Sequence, residues 1–134
     1  MCFVCVDDVV WEQLDWGNLG WVLRPENVPE SSNLCVLDVL VQPGQGHDFH
    51  RHPNQEEVIL VRSGTVEQWI GEERKELVAG DVAFVPKDKV HATFVATDAA
   101  EGANLFVVLG PSHGVEGYEA VDASTEEPWT SLRT

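Results

Sequence analysis

The stretch Gly44-Gln45-Gly46-His47-Asp48-Phe49-His50-Arg51-His52-Pro53-Asn54-Gln55-Glu56-Glu57, running on through Val61 to Gly64, decides the fold of this 134-residue chain. Read as extended backbone, side chains at i and i+2 share a face, so His50 and His52 point together while Arg51 points away. Glu57 opens the next strand, and its same-face neighbours Ile59 and Val61 are apolar. A carboxylate on a face that is otherwise buried needs a compensating partner. A second stretch, from Gly80 through Pro86, ends at His91, which heads the face of Thr93 and Val95. A single strand histidine is as a rule a surface or hydrogen-bonded core residue. Three imidazoles and one carboxylate together form the mixed nitrogen and oxygen donor set that a divalent transition metal prefers.

Around these stretches the chain reads as short strands. Residues 34–41, 57–61, 66–70, 81–85, 91–95 and 104–109 are apolar or alternating runs bounded by glycine, proline and acidic turns. Arg62-Ser63-Gly64-Thr65 suits a hairpin, Gly71-Glu72-Glu73-Arg74-Lys75 a charged turn, and Asp88 a left-handed turn position. Residues 105–109 are apolar throughout, which implies a strand covered on both faces. No window carries a helical apolar stripe. The expectation is an all-β chain folded as a sandwich or barrel, in one domain.

Composition narrows the partners. Twenty-three acidic residues against 8 basic ones give a net charge of −15, spread along the chain. A field of that sign repels phosphate backbones and anionic membrane surfaces, so no nucleic acid and no membrane partner is expected. No apolar run approaches the roughly 20 residues of a membrane span, and the first residues lack the basic region of a signal peptide, so a cytoplasmic protein is expected.

Three cysteines argue against a disulfide framework. Cys2 and Cys5 form a C-x-x-C without a second pair or a βαβ context, and Cys35 alternates with Leu37, Val39 and Val41 as a small core residue. Trp11, Trp16, Trp21 and Trp129 lie outside the strand-rich centre; packing on the barrel or on a neighbouring subunit is expected of them, with ligand stacking the alternative.

The spacing Gly44-x5-His50-x-His52-x4-Glu57-x6-Gly64 resembles the first motif of the cupin superfamily, and Gly80-x5-Pro86-x-Asp88-x2-His91-x3-Val95 resembles the second. The chain departs from that second motif at Asp88, where glycine is usual, and at Val95, where asparagine is usual. Fifteen residues separate Gly64 from Gly80, the compact spacing of small single-domain cupins. The resemblance implies a double-stranded β-helix, or jelly-roll, barrel over about residues 34–110, with an N-terminal arm over 1–33 and a C-terminal extension over 111–134. It also implies that His50, His52, Glu57 and His91 bind one divalent metal ion, with Fe, Mn, Zn, Ni and Cu not distinguished. Such a ligand set leaves one or two positions for water, dioxygen or a chelating oxygen substrate.

The function expected is that of a small mononuclear metalloenzyme acting on an oxygen-rich molecule, as a dioxygenase or as an isomerase, lyase or decarboxylase of sugar- or keto-acid-like substrates. A non-catalytic ligand-binding or sensor module, or a barrel with a purely structural metal, is the alternative. Two residues are catalytic candidates. His47, on the turn before His50, is a proton relay or, more plainly, a solvated turn residue. For Gln68, either it or Trp69 faces the pocket, and parity does not say which. The phenylalanines Phe49, Phe84, Phe94 and Phe106 read as core, Arg51 and Arg62 as outer-face residues, and His113 as an exposed loop residue. The resemblance also implies a homodimer, since small cupins commonly pair through an outer sheet face and exchanged N-terminal strands, and Trp11, Trp16 and Trp21 suit such a contact.

Overall fold

The computed structural model describes residues 2–133. After a 3₁₀ turn at Val6–Asp8, the chain runs through β1 (Val10–Leu14), β2 (Gly17–Leu23), β3 (Cys35–Val41), β4 (Gly46–Arg51), β5 (Glu56–Ser63), β6 (Thr65–Ile70), β7 (Glu73–Val78), β8 (Val82–Val85), β9 (His91–Phe94), β10 (Ala103–Gly110) and β11 (Val121–Asp122). A four-residue helix, α1 (Trp129–Leu132), follows. Two antiparallel sheets result, in the orders β1-β2-β3-β10-β5-β8 and β11-β4-β9-β6-β7. They pack as the expected double-stranded β-helix.

Alternation explains which face goes inside. In β3, Cys35, Leu37, Val39 and Val41 are buried, and in β10 the same holds for Ala103, Leu105, Val107 and Leu109. Together with Ile59 and Val61 of β5 they form the main core. Each such aliphatic side chain contributes roughly 1.5–3 kcal/mol on burial. Glu57 shares the inward face of β5 with Ile59 and Val61, so the strand that supplies core also carries a carboxylate inside. The β5–β6 hairpin turns at Gly64, whose φ of 82° and crowding against the Gly102 carbonyl leave no room for a Cβ. Asp88 takes the left-handed conformation, with φ 64°.

The predicted runs and the observed strands agree to within two residues at either end, but β1, β2, β7 and β11 carry little sequence signal. The reading of residues 105–109 as covered on both faces is corrected. Leu105, Val107 and Leu109 are buried, whereas Phe106 and Val108 on the outer side are only half-buried. Phe84 is likewise not core: with the alternation of β8 it faces outward at 51% exposure. Phe49 and Phe94 are buried as expected. Arg62 lies outside, paired with Asp38 at 2.8 Å, and Arg51 faces the C-terminal segment, 3.2 Å from Glu126. Among the described residues, no helix is long and apolar enough to cross a membrane.

A second apolar cluster covers the outer face of the five-stranded sheet. Phe49, Trp69, Val90, Ala92 and Phe94 pack there under Ala123, Trp129 and Leu132 of the C-terminal extension. Trp129 Nε1 donates to the Gly71 carbonyl at 3.2 Å, and the Arg133 guanidinium lies 3.6 Å from the centre of the Phe94 ring. The other tryptophans also pack within the chain. Trp16 stacks on His47, Trp21 is buried and donates to Glu12, and Trp11 lies against Gly20 at 45% exposure.

Glu67 fastens the C-terminal segment by accepting hydrogen bonds from Trp69 Nε1 at 2.6 Å and Arg133 Nε at 2.7 Å. Partial burial pushes its carboxyl up, but the bonds from Arg133 and Trp69 outweigh that and hold it below the usual value. A carboxyl depressed in the folded state stabilises above the unfolded pKa of about 4.3, and that stability is lost as pH falls through the folded value. Glu67→Gln is therefore expected to flatten the urea midpoint against pH below about pH 4.3, by no more than roughly 1 kcal/mol for a partly exposed group. An unaltered acid limb would contradict this assignment.

Candidate metal centre

Both sheets contribute to one site at an end of the barrel. His50 of β4 and His91 of β9 are register partners across the five-stranded sheet, His52 follows β4 in the turn, and Glu57 reaches in from β5 of the opposite sheet. All four are buried, at 5%, 1%, 3% and 7% exposure. One nitrogen from each of His50, His52 and His91 lies within 4.8 Å of the others. Glu57 Oε1 is 2.7 Å from His91 Nε2 and 3.4 Å from His52 Nε2.

Backbone carbonyls set the tautomers. Nδ1–H of His50 donates to Asp48 at 2.7 Å, that of His52 to Glu119 at 2.8 Å, and that of His91 to Lys89 at 2.9 Å. With a proton on Nδ1, each ring in its neutral form presents an Nε2 lone pair. Burial, then the neighbouring His47, His91 and His52, hold His50 well below the usual histidine range. Burial pushes the Glu57 carboxyl up, but the electrostatic pull of His91, then of His52, outweighs it and holds the group well below the usual carboxylate range. For His91, burial pulls down and the Glu57 carboxylate pulls up more strongly, so its proton is held more tightly than usual.

This arrangement fits a cation. Glu57 Oε1 and His91 Nε2 are buried and close, yet neither has a hydrogen-bond partner of good geometry. A shared proton satisfies one such pair at a time; the remaining lone pairs still face the same space. A divalent transition metal satisfies all of them together, and three imidazoles with a carboxylate are donors that Fe, Mn, Ni, Cu and Zn all accept. Cys2 and Cys5 are exposed, and among the described residues they join no such cluster.

The family model described as a cupin domain matches residues 37–108, the span that holds all four donors. The chain is a cupin. Protein SchB of Streptomyces halstedii is 32% identical over 108 residues, covering 81% of this chain and 76% of SchB. KdgF from a Halomonas species superposes with a TM-score of 0.70 at 17% identity, over 83% of this cupin and 95% of KdgF. An uncharacterized conserved protein with a double-stranded β-helix domain from Klebsiella pneumoniae gives a TM-score of 0.68 at 24% identity, over 91% and 98% of the two chains. At these identities the two structures support the fold alone.

The donors open onto a cavity of about 40 Å³ inside the cupin barrel. His47 is part of its wall, half-buried and stacked between Trp16 (ring centres 4.1 Å apart) and His50 (3.5 Å). Burial, the largest effect, pushes the His47 imidazole down to about 3. Gln68 is buried but stands behind the wall: its carbonyl oxygen accepts from Thr93 Oγ1 at 2.6 Å and its amide donates to the Trp69 carbonyl. Thr93 is the member of that pair that faces the cavity. His113 is exposed, 3.7 Å from Glu119.

Two contributors escape the sequence reading. Tyr118 of the C-terminal extension lines the cavity, its ring centre 5.6 Å from that of His52. Burial, then the charges of Glu12, Cys35 and Glu57, push its hydroxyl up to about 12. Gln55 is 2% exposed, and its amide donates to the carbonyls of Pro111 and Gly117 at 2.7 and 2.9 Å while accepting from Glu119 N. Its parity with Glu57, Ile59 and Val61 marks it as inward-facing, a signal legible in the sequence. By fixing residues 111–119 it places the Glu119 carbonyl on His52 Nδ1. Gln55→Leu is therefore expected to weaken metal binding by about 10–100-fold while the β circular dichroism is retained. Chelator competition checks it, and an unchanged affinity in the folded variant would contradict it.

Proposed function

We propose that this cupin is a mononuclear metal-dependent enzyme acting on a small oxygen-bearing molecule, through dioxygenase, isomerase, lyase or decarboxylase chemistry, with His50, His52, Glu57 and His91 as its metal ligands. The observation that carries this reading is that the four donors open onto a cavity, whereas a structural metal is closed in by its ligands. A divalent transition metal bound there supplies Lewis acidity and a position for an oxygen ligand.

The chain's own groups prepare that position. The Nδ1 bonds to Asp48, Glu119 and Lys89 hold the three rings in plane and in tautomer. Gln68 orients Thr93, whose hydroxyl spends its proton on Gln68 and turns acceptor lone pairs to the cavity. Tyr118, neutral throughout the physiological range, adds an uncharged ring to the wall beside His52. A histidine that protonates only near pH 3 is a weak base at neutral pH, so His47 is assigned to the wall that fixes the His50 ring rather than to proton relay.

The test is to strip the protein of metal, reload it with Fe(II) or Mn(II), and follow dioxygen uptake and substrate loss with catechols, hydroxyketones and keto acids. Metal-dependent turnover of at least one class, lost on chelation, is expected. Stoichiometric metal binding with no turnover in any class would point instead to a ligand-binding module.

We also propose a homodimer. The row Val36, Val108, Val58 and Phe84 runs across four adjacent strands of the six-stranded sheet, with Val58 at 38% and Phe84 at 51% exposure. An apolar stripe of this kind is suited to pairing with its own copy. Strands β1 and β2 extend the same sheet within the chain, and the contact proposed is through its outer face. Sedimentation at micromolar concentration should show a dimer that Phe84→Glu dissociates; a monomeric native protein removes the proposal.

A further inference from the structure

The polar and apolar walls of the cavity are segregated. The three histidine donors, His47 and Thr93 occupy one side, and Glu57 reaches them from the β5 end of the other. The opposite side is built from the inward faces of β3, β5 and β10: Leu37, Val39, Ile59, Leu105, Val107 and Leu109, each no more than 4% exposed. Trp16 and Tyr118 add aromatic surface. Among the described residues, no lysine or arginine lines the space. Arg24 lies over Trp21 and pairs with Glu26, Arg51 pairs with Glu126, and Arg62 with Asp38.

We infer that the ligand of this site is a small, neutral or singly charged oxygen chelator with a hydrocarbon body, and that polyhydroxylated and dicarboxylate molecules are discriminated against. The inference rests on the metal-centre reading above and narrows it. One chelating pole meets the donors; beyond it the β3, β5 and β10 wall offers only aliphatic side chains. A hydroxyl carried into that half loses water and finds no partner, which weakens binding by roughly tenfold or more for each group. A second carboxylate is disfavoured twice. It has no guanidinium or ammonium to pair with, and it enters the field of buried Glu57 in a chain of net charge −15.

A series that keeps the chelating pole constant isolates the body. Butyrohydroxamate, its 2,3,4-trihydroxy analogue and succinic monohydroxamate present the same hydroxamate with a hydrocarbon, hydroxylated or carboxylate-terminated tail. Isothermal titration of each into cobalt(II)-loaded protein, after cobalt binding has been measured alone, is expected to show butyrohydroxamate bound at least about tenfold more tightly than either analogue. Val107→Thr, which adds a hydroxyl at nearly constant volume, should narrow the gap to the trihydroxy analogue severalfold; Val39→Thr serves the same purpose if that variant fails to fold. If the protein binds no cobalt, the metal-centre reading fails and this inference falls with it. If cobalt binds but either analogue binds as tightly as butyrohydroxamate, or no hydroxamate binds, the inference alone is overturned.

Discussion

Replacing His50 with alanine is expected to lower metal affinity by more than about 100-fold, beyond the range seen when only an outer partner of a ligand is lost. His50 stands opposite His91 in the β4–β9 register, its ring centre 4.2 Å from that of His91 and 5.0 Å from that of His52. Without it, two imidazoles and Glu57 remain, and a carboxylate 7% exposed is left with less compensation. The backbone pairing of β4 does not depend on the imidazole, so β circular dichroism should be retained. His113→Ala, at an exposed histidine outside the cluster, should leave affinity unchanged. Competition with a chromophoric chelator reads both variants, and equal affinities in native and His50→Ala protein would remove His50 from the site.

Phe49→Ala is expected to cost about 3–5 kcal/mol of stability. Phe49 lies on the face of β4 opposite His50, 2% exposed, with its ring centre 5.7 Å from Trp69 and 6.0 Å from Phe94 in edge-on arrangements. The cavity left behind would sit beneath Ala123, Trp129 and Leu132, so the C-terminal segment loses its seat as well as a neighbour. For a domain whose total stability is of the order of 5–15 kcal/mol, that is a large share. The shift in urea midpoint measures it; a loss below about 1 kcal/mol would show that the second cluster carries little of the fold.

The central strands were legible because alternation and burial agree there. Glu57, Ile59 and Val61 share a parity in the sequence and a buried face in the barrel. Where the two disagree, the sequence misleads. In β8, Phe84 reads as core, but Ala83 and Val85 hold the inward positions. In β2, Gly20 is a strand residue whose missing side chain makes room for the Trp11 indole. In β7, Glu73, Arg74 and Lys75 read as part of a charged turn and become an edge strand because β6 offers them partners.

The candidate site divides in the same way. Its four donors stand at spacings that can be read directly, since a strand carries i and i+2 to one face. The groups that hold those donors in place leave fainter traces. The partner of His52 is the main-chain carbonyl of Glu119, which has no side-chain signature at all. Tyr118 arrives from a loop with no periodicity, delivered by Gln55 across a sequence separation of 62 residues at Gly117. The position of Gln68 depends on whether Thr93 is in reach, a fact of tertiary packing that strand parity does not contain.

X-ray absorption at the metal edge, on protein purified without a metal-affinity tag, bears most directly on the convergence of His50, His52, Glu57 and His91 on one cation. About one divalent metal per chain is expected, with nitrogen and oxygen neighbours only and the multiple-scattering pattern of about three imidazoles. A metal-free protein, or a shell containing sulfur from Cys2 and Cys5, would contradict it.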